Sequence, residues 1–174
     1  MKILLLRHAA TAGNLLHRYI GTTDEPLSPE GKASLAALHV PKPQLLVCSP
    51  LRRCTETAEL VFPGVPYLCE PDFRECDFGD FEGKSYTDLN GDPVYQAWID
   101  SGGTLPFPHG ESPEAFRNRC TSAFSALLRE HPAIHYMALV VHGGTIMSIL
   151  SDRLGGDYYD YQLPNAGYFW LDIE

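Results

Sequence analysis

The sequence has no long apolar run; the longest are Ile3 to Leu6 and Met137 to Val141. A membrane-spanning helix needs about 20 consecutive apolar residues, so a helical span is excluded. At the N-terminus, Ile3 to Leu6 run straight into Arg7, too few apolar residues for the core of a secretory signal, and a cytoplasmic location is expected. Positive charge is scarce as well. The 13 basic residues are outnumbered by 22 acidic ones, for a net charge of -9, and such a surface repels a polyphosphate backbone. Neither a nucleic acid nor a membrane is therefore an expected partner. The five cysteines, Cys48, Cys54, Cys69, Cys76 and Cys120, are odd in number and include no C-x-x-C pair or zinc-like spacing. They read as small core residues in a reducing compartment.

What is present is an ordinary globular composition, 44% hydrophobic and 20% charged over 174 residues. No repeat, low-complexity tract or linker divides the chain, so residues 1–174 are expected to form a single domain. Lys2 to Leu6, Gln44 to Cys48 and Tyr136 to Val141 have the continuous apolar pattern of strands buried on both faces of a parallel sheet. Helical patterns follow each of them. Ser28-Pro29 and Ser112-Pro113 supply an N-cap with proline at the first helical position, opening one helix through Leu38 and a longer one carrying Phe116, Cys120, Phe124, Leu127 and Leu128. A helix holding Ala58, Leu60 and Val61 follows the second strand, and Thr145 to Leu154 forms another, stopped by Gly155-Gly156. Gly167 to Ile173 reads as a last strand at or near a sheet edge. The alternation implies an α/β fold, a three-layer α/β/α sandwich around a mostly parallel sheet. The least regular stretch, residues 79–110, is expected to hold a helix near Tyr86 to Ile99 and to form a lid or a pocket wall.

In open α/β sheets, ligands bind beyond the carboxyl ends of the strands. Here those ends carry Arg7-His8, then Ser49-Pro50-Leu51-Arg52-Arg53, then His142-Gly143-Gly144-Thr145. Guanidinium forks match phosphoryl oxygens, and the Gly143-Gly144 amides at a helix start offer further donors, so the rim reads as a phosphate site. Positive neighbours disfavour imidazolium, leaving a neutral histidine able to attack phosphorus. A two-histidine metal site completed by Glu75 is the competing arrangement, and the adjacent arginines count against it.

These residues also carry a family resemblance. Leu6 to Asn14 (LRHAATAGN) with Arg18-Tyr19 and Gly21 to Gly31 is similar to the opening of the histidine phosphatase superfamily, with its phosphoglycerate mutase-like fold. Ser49 to Ala58 resembles that family's S-x-L-x-R-A-x-x-T-A segment, Phe73 to Gly83 its L-R-E-x-x-x-G-x-W-E-G block, Gly110-Glu111-Ser112 its G-E-S, and His142-Gly143-Gly144 its second histidine motif. The resemblance implies that His8 is the nucleophile and that Arg7, Arg53, Asn14 and His142 hold the phosphoryl oxygens. It makes Glu75, kept protonated by its surroundings, the proton donor. Thr11, Gly21, Gly143 and Tyr86 join Asn14 as expected substrate contacts. No metal or organic cofactor is required, and the partner is a small phosphomonoester. Ala9 stands where the family usually has glycine, which carries a cost if that position needs positive φ. Cys54 replaces a common alanine.

Within the family, the modest length favours a phosphomonoesterase over a mutase. The R-Y-x-G-x-T-D-x-P-L run, the D-F-G-D-F-E-G block and Tyr95 to Trp98 look most like the α-ribazole phosphatases of cobalamin assembly. A broad-specificity histidine acid phosphatase, a phosphoglycerate mutase and a non-catalytic phospho-ligand binder are the alternatives.

Overall fold

The computed structural model describes residues 1–173, and the continuous apolar runs form the middle of its sheet. Strands β1 (Lys2–Arg7), β2 (Leu45–Cys48), β3 (Tyr67–Cys69), β4 (Tyr136–Val141) and β5 (Tyr168–Asp172) lie in the order β3-β2-β4-β1-β5. The first four are mutually parallel, and β5 runs antiparallel to β1 at one edge. Side chains alternate across a strand, and both faces are covered here. Ile3, Leu5, Met137, Leu139 and Val141 face one way with Phe124, Leu127, Ile146, Ile149 and Leu150. Leu4, Leu6, Leu46, Ala138 and Val140 face the other way with Cys54, Ala58 and Phe62.

The helices supplying those covers are α3 (Arg52–Val61) on one face, and α5 (Pro113–Glu130) with α6 (Gly143–Leu154) on the other. Proline at the first position starts α2 (Pro29–Ser34), α4 (Pro93–Asp100) and α5, and the preceding Ser28, Asp92 and Ser112 side chains each accept a backbone N–H. The three-layer α/β/α arrangement expected from the sequence is the one observed. No helix among the described residues is long and apolar enough to cross a membrane.

Three local expectations need correction. The helix opening at Ser28 ends at Ser34 and tightens into a 3₁₀ turn over Leu35–Ala37. The helix placed near Tyr86 to Ile99 begins only at Pro93, because Asp92 caps it and Gly91, at φ +86°, turns the chain just before. Strand β3 was not anticipated; with three residues, mostly exposed at a sheet edge, it has no apolar run to announce it.

Residues 79–110 pack through Phe81, Leu89, Tyr95 and Phe107 onto Cys76 and onto Phe116 and Cys120 of α5.

Candidate active site

The parallel strands deliver their carboxyl ends to one rim, where β1 runs into His8, β2 into Ser49 and β4 into His142. His8 is 3% exposed, and its Nδ1 lies 2.7 Å from the Ala9 carbonyl. A carbonyl only accepts, so Nδ1 carries the proton and Nε2 keeps a bare lone pair. Burial, then Arg53, then Arg7 push the His8 imidazole well below its ordinary range, so the ring is neutral. Its own carbonyl accepts from Ala166 N and Asn165 Nδ2.

The His142 ring centroid lies 5.1 Å from that of His8. Its Nδ1 accepts from Arg53 Nε at 3.3 Å, and its Nε2 lies 2.7 Å from Ser49 Oγ. The first bond requires Nδ1 to be bare, so Nε2–H donates to the serine. His142 is likewise held well below the usual imidazole range by burial, Arg53 and His8.

Arg53 is fully buried on the first turn of α3. It donates to the carbonyls of Thr23, Gly21 and Ile20 and to His142, and among the described residues no carboxylate lies within 4 Å of it. An isolated buried charge is costly, and carbonyl dipoles alone do not neutralise it. Gly21 has to be glycine for this arrangement: a Cβ there would lie 2.0 Å from the Cys76 carbonyl.

A cavity of about 810 Å³ has Arg7, Asn14, Glu75, Gly143 and Gly144 in its wall, while the buried His8, Arg53 and His142 are not among its lining residues. Arg7 and Gly143 are the chain neighbours of His8 and His142, so the buried pair lies directly behind that wall. Arg7 donates to the Leu163 carbonyl, while its buried Nε has no partner among the described residues. Glu75 accepts from Cys76 N at 2.9 Å and from Gly144 N at 3.3 Å, which ties it to the start of α6. Behind it, Arg119 forks onto Glu111 and donates to the carbonyls of Asp72, Arg74 and Glu75. The G-E-S motif thus contributes by clamping the segment that presents Glu75.

Asn14 and Thr11 form a reciprocal cap at α1 (Ala12–Leu15), and Asn14 Oδ1 also accepts from Asn165. Thr11 is fully buried in that role, Gly21 backs Arg53, and Tyr86 is 62% exposed. None of these three is in the cavity wall. Ala9 has no positive φ, so the alanine is unstrained; its N–H donates to Thr57 Oγ1 at 3.1 Å. Sequence reasoning missed Asn165, Arg117, Tyr158 and Tyr159, which all line the cavity. Among the described residues, no three His, Cys, Asp or Glu side chains gather as a metal site would require.

A buried guanidinium with no carboxylate within 4 Å among the described residues suits an anionic ligand such as a phosphoryl group. The comparisons with known proteins specify the class: residues 3–174 match the histidine phosphatase superfamily (branch 1), and the chain belongs to it. It is 31% identical over 163 residues to the adenosylcobalamin/alpha-ribazole phosphatase of Salmonella typhimurium, covering 88% of this chain and 79% of that one. Among solved structures, the alpha-ribazole phosphatase from Shigella flexneri superposes with a TM-score of 0.89 at 26% identity, covering 100% of this chain and 91% of that one. Phosphoglycerate mutase from Thermus thermophilus gives 0.76 at 30% identity, covering 99% and 93%. The protein is a phosphatase that acts on a phosphorylated small molecule.

Proposed function

We propose that the protein hydrolyses phosphomonoesters without a metal, through a phosphohistidine on His8, and that α-ribazole 5'-phosphate is its first candidate substrate. The observation that carries the chemistry is the His8 Nδ1–H···O=C bond to Ala9, which leaves Nε2 bare beside two arginines. Nε2 attacks phosphorus as the ester P–O bond breaks, and the departing oxygen takes the proton of Glu75. The ring becomes cationic as its N–P bond forms, and the Ala9 carbonyl stabilises it through Nδ1–H. Arg7, Arg53 and Asn14, with the Gly143 amide, offset the charge on the equatorial oxygens, and His142, whose Nδ1 accepts from Arg53 Nε, holds that guanidinium in place. Water then attacks phosphorus and gives a proton to the Glu75 carboxylate; the N–P bond breaks, and His8 returns to its neutral form.

The substrate assignment draws on the two α-ribazole phosphatase relatives and on the cavity's aromatic surface, where Tyr19, Phe78, Trp98 and Phe107 line one side. Such a wall suits a flat base. Tyr95 and Phe107 are each 7% exposed, so these rings also anchor the segment to the core. The test compares kcat/KM for α-ribazole 5'-phosphate, ribose 5-phosphate and 3-phosphoglycerate. A preference of about a hundredfold, some 2.7 kcal/mol, for the first supports base recognition. Equal efficiency on all three removes the substrate assignment and leaves the phosphatase chemistry standing. The name of the Thermus relative raises an added mutase activity, which formation of 2-phosphoglycerate from the 3-isomer in the same assay would reveal.

A further inference from the structure

The phosphoryl group does not account for every cation in the cavity. Arg117, on α5, is half-buried in the wall, and no carboxylate lies within 4 Å of it among the described residues. Arg119, two residues on, shows the usual alternative, a fork onto Glu111. The Arg117 guanidinium carbon sits 4.0 Å from the centroid of the Tyr158 ring, so the cation is fixed through its face. Its in-plane N–H groups make no hydrogen bond within the described chain and remain available as a planar fork.

Tyr158 in turn reaches the Gly144 carbonyl at 3.4 Å, and Gly144 N holds Glu75. Arg117 is therefore linked through one ring to the residue that holds Glu75, the group proposed to protonate the departing alcohol.

We propose that Arg117 is a specificity-determining residue that binds a second anionic group, a carboxylate or a further phosphate, carried by the leaving group. The inference rests on the phosphatase reading of the cavity and competes with the α-ribazole assignment, because that ester's leaving group is a neutral nucleoside; a preference for α-ribazole 5'-phosphate over both acid esters counts against it. A neutral leaving group leaves the fork unmatched, so acids on the alcohol portion bind better than their neutral counterparts.

Two pairs of phosphomonoesters differ only in bearing a hydroxymethyl group or a carboxylate at the far end: glycerol 3-phosphate with 3-phosphoglycerate, and sorbitol 6-phosphate with 6-phosphogluconate. For the unaltered enzyme, the expected result is a preference of about tenfold or more in kcat/KM for the acid member of at least one pair, expressed mainly in KM. Arg117→Gln should abolish that preference, and Arg117→Lys, which keeps the charge, should restore part of it. A role confined to packing Tyr158 would lower both members of a pair alike and leave the ratio intact. No preference in either pair, or a preference that survives Arg117→Gln, overturns the proposal. p-Nitrophenyl phosphate is assayed in parallel, since its failure to turn over would remove the phosphatase site itself rather than the role of Arg117.

Discussion

Gly144→Ala isolates the acid from the rest of the machinery. A Cβ at this position would lie 2.4 Å from Glu75 Oε1 and 2.8 Å from the Phe116 ring. Ordinary carbon–oxygen contact begins about 1 Å further out, and the buried Phe116 ring cannot withdraw far, so the carboxyl must move by about 1 Å. That shift also lengthens the 3.3 Å bond from Gly144 N. Misplacing a reacting group by about 1 Å can cost about a hundredfold, some 2.7 kcal/mol in the barrier. The loss should depend on the leaving group, because an alkoxide needs a proton and a nitrophenolate does not. Glycerol phosphate should slow by about a hundredfold and p-nitrophenyl phosphate by less than about tenfold, while vanadate affinity reports that the phosphate end is intact. Equal slowing of both esters, or an unaffected alkyl ester, would refute the reasoning that Glu75 is the acid.

Other outcomes follow from the same geometry. Activity should survive exhaustive dialysis against EDTA, and vanadate should inhibit, since arginines carry the phosphate and vanadate mimics the transferring group; activity lost to EDTA and restored by zinc or magnesium would contradict this. Both buried histidines are neutral in the fold, whereas the unfolded chain takes up protons near pH 6.5, so stability should fall as pH drops below that value. The slope is up to about 1.4 kcal/mol per pH unit for each histidine, and denaturant titrations at pH 7.5, 6.5 and 5.5 would read it; a flat profile would contradict neutral burial. Glu75→Gln should reproduce the leaving-group dependence of Gly144→Ala without its packing strain.

The residues proposed to react are legible in the sequence because sheet topology and chemistry point to the same places. His8, Arg53 and His142 each follow a strand whose apolar run is long enough to read, and parallel strands put such residues on one rim. What stayed hidden depends on contacts between distant segments. Asn165 carries no motif, yet β5 runs antiparallel to β1, so the residues just before β5 lie beside the end of β1, and Asn165 reaches the His8 carbonyl. Reading Gly167 to Ile173 as antiparallel to the first strand would have found it. Arg117 and Tyr158 meet only because α5 packs beside α6, which no local pattern reports. Tyr86 was drawn toward the site by its neighbours in an irregular stretch; with Pro93 delaying the helix, its ring stays at the surface. Ala9 carries no strain in place of the family's usual glycine, because its φ is not positive.

Transfer of phosphate through His8 is the step on which the proposed mechanism depends. Mixing the enzyme with substrate and quenching within milliseconds in alkali, where phosphohistidine survives, allows the phosphorylated peptide to be located by mass spectrometry. Phosphate is expected on the peptide containing His8, lost on exposure to acid, with Nε2 as the attached atom because Nδ1 is held by the Ala9 carbonyl. His8→Ala should then show no label and a turnover lower by several orders of magnitude. A His8→Ala enzyme that still hydrolyses the ester at an undiminished rate, or a phosphate found on another residue, would contradict it.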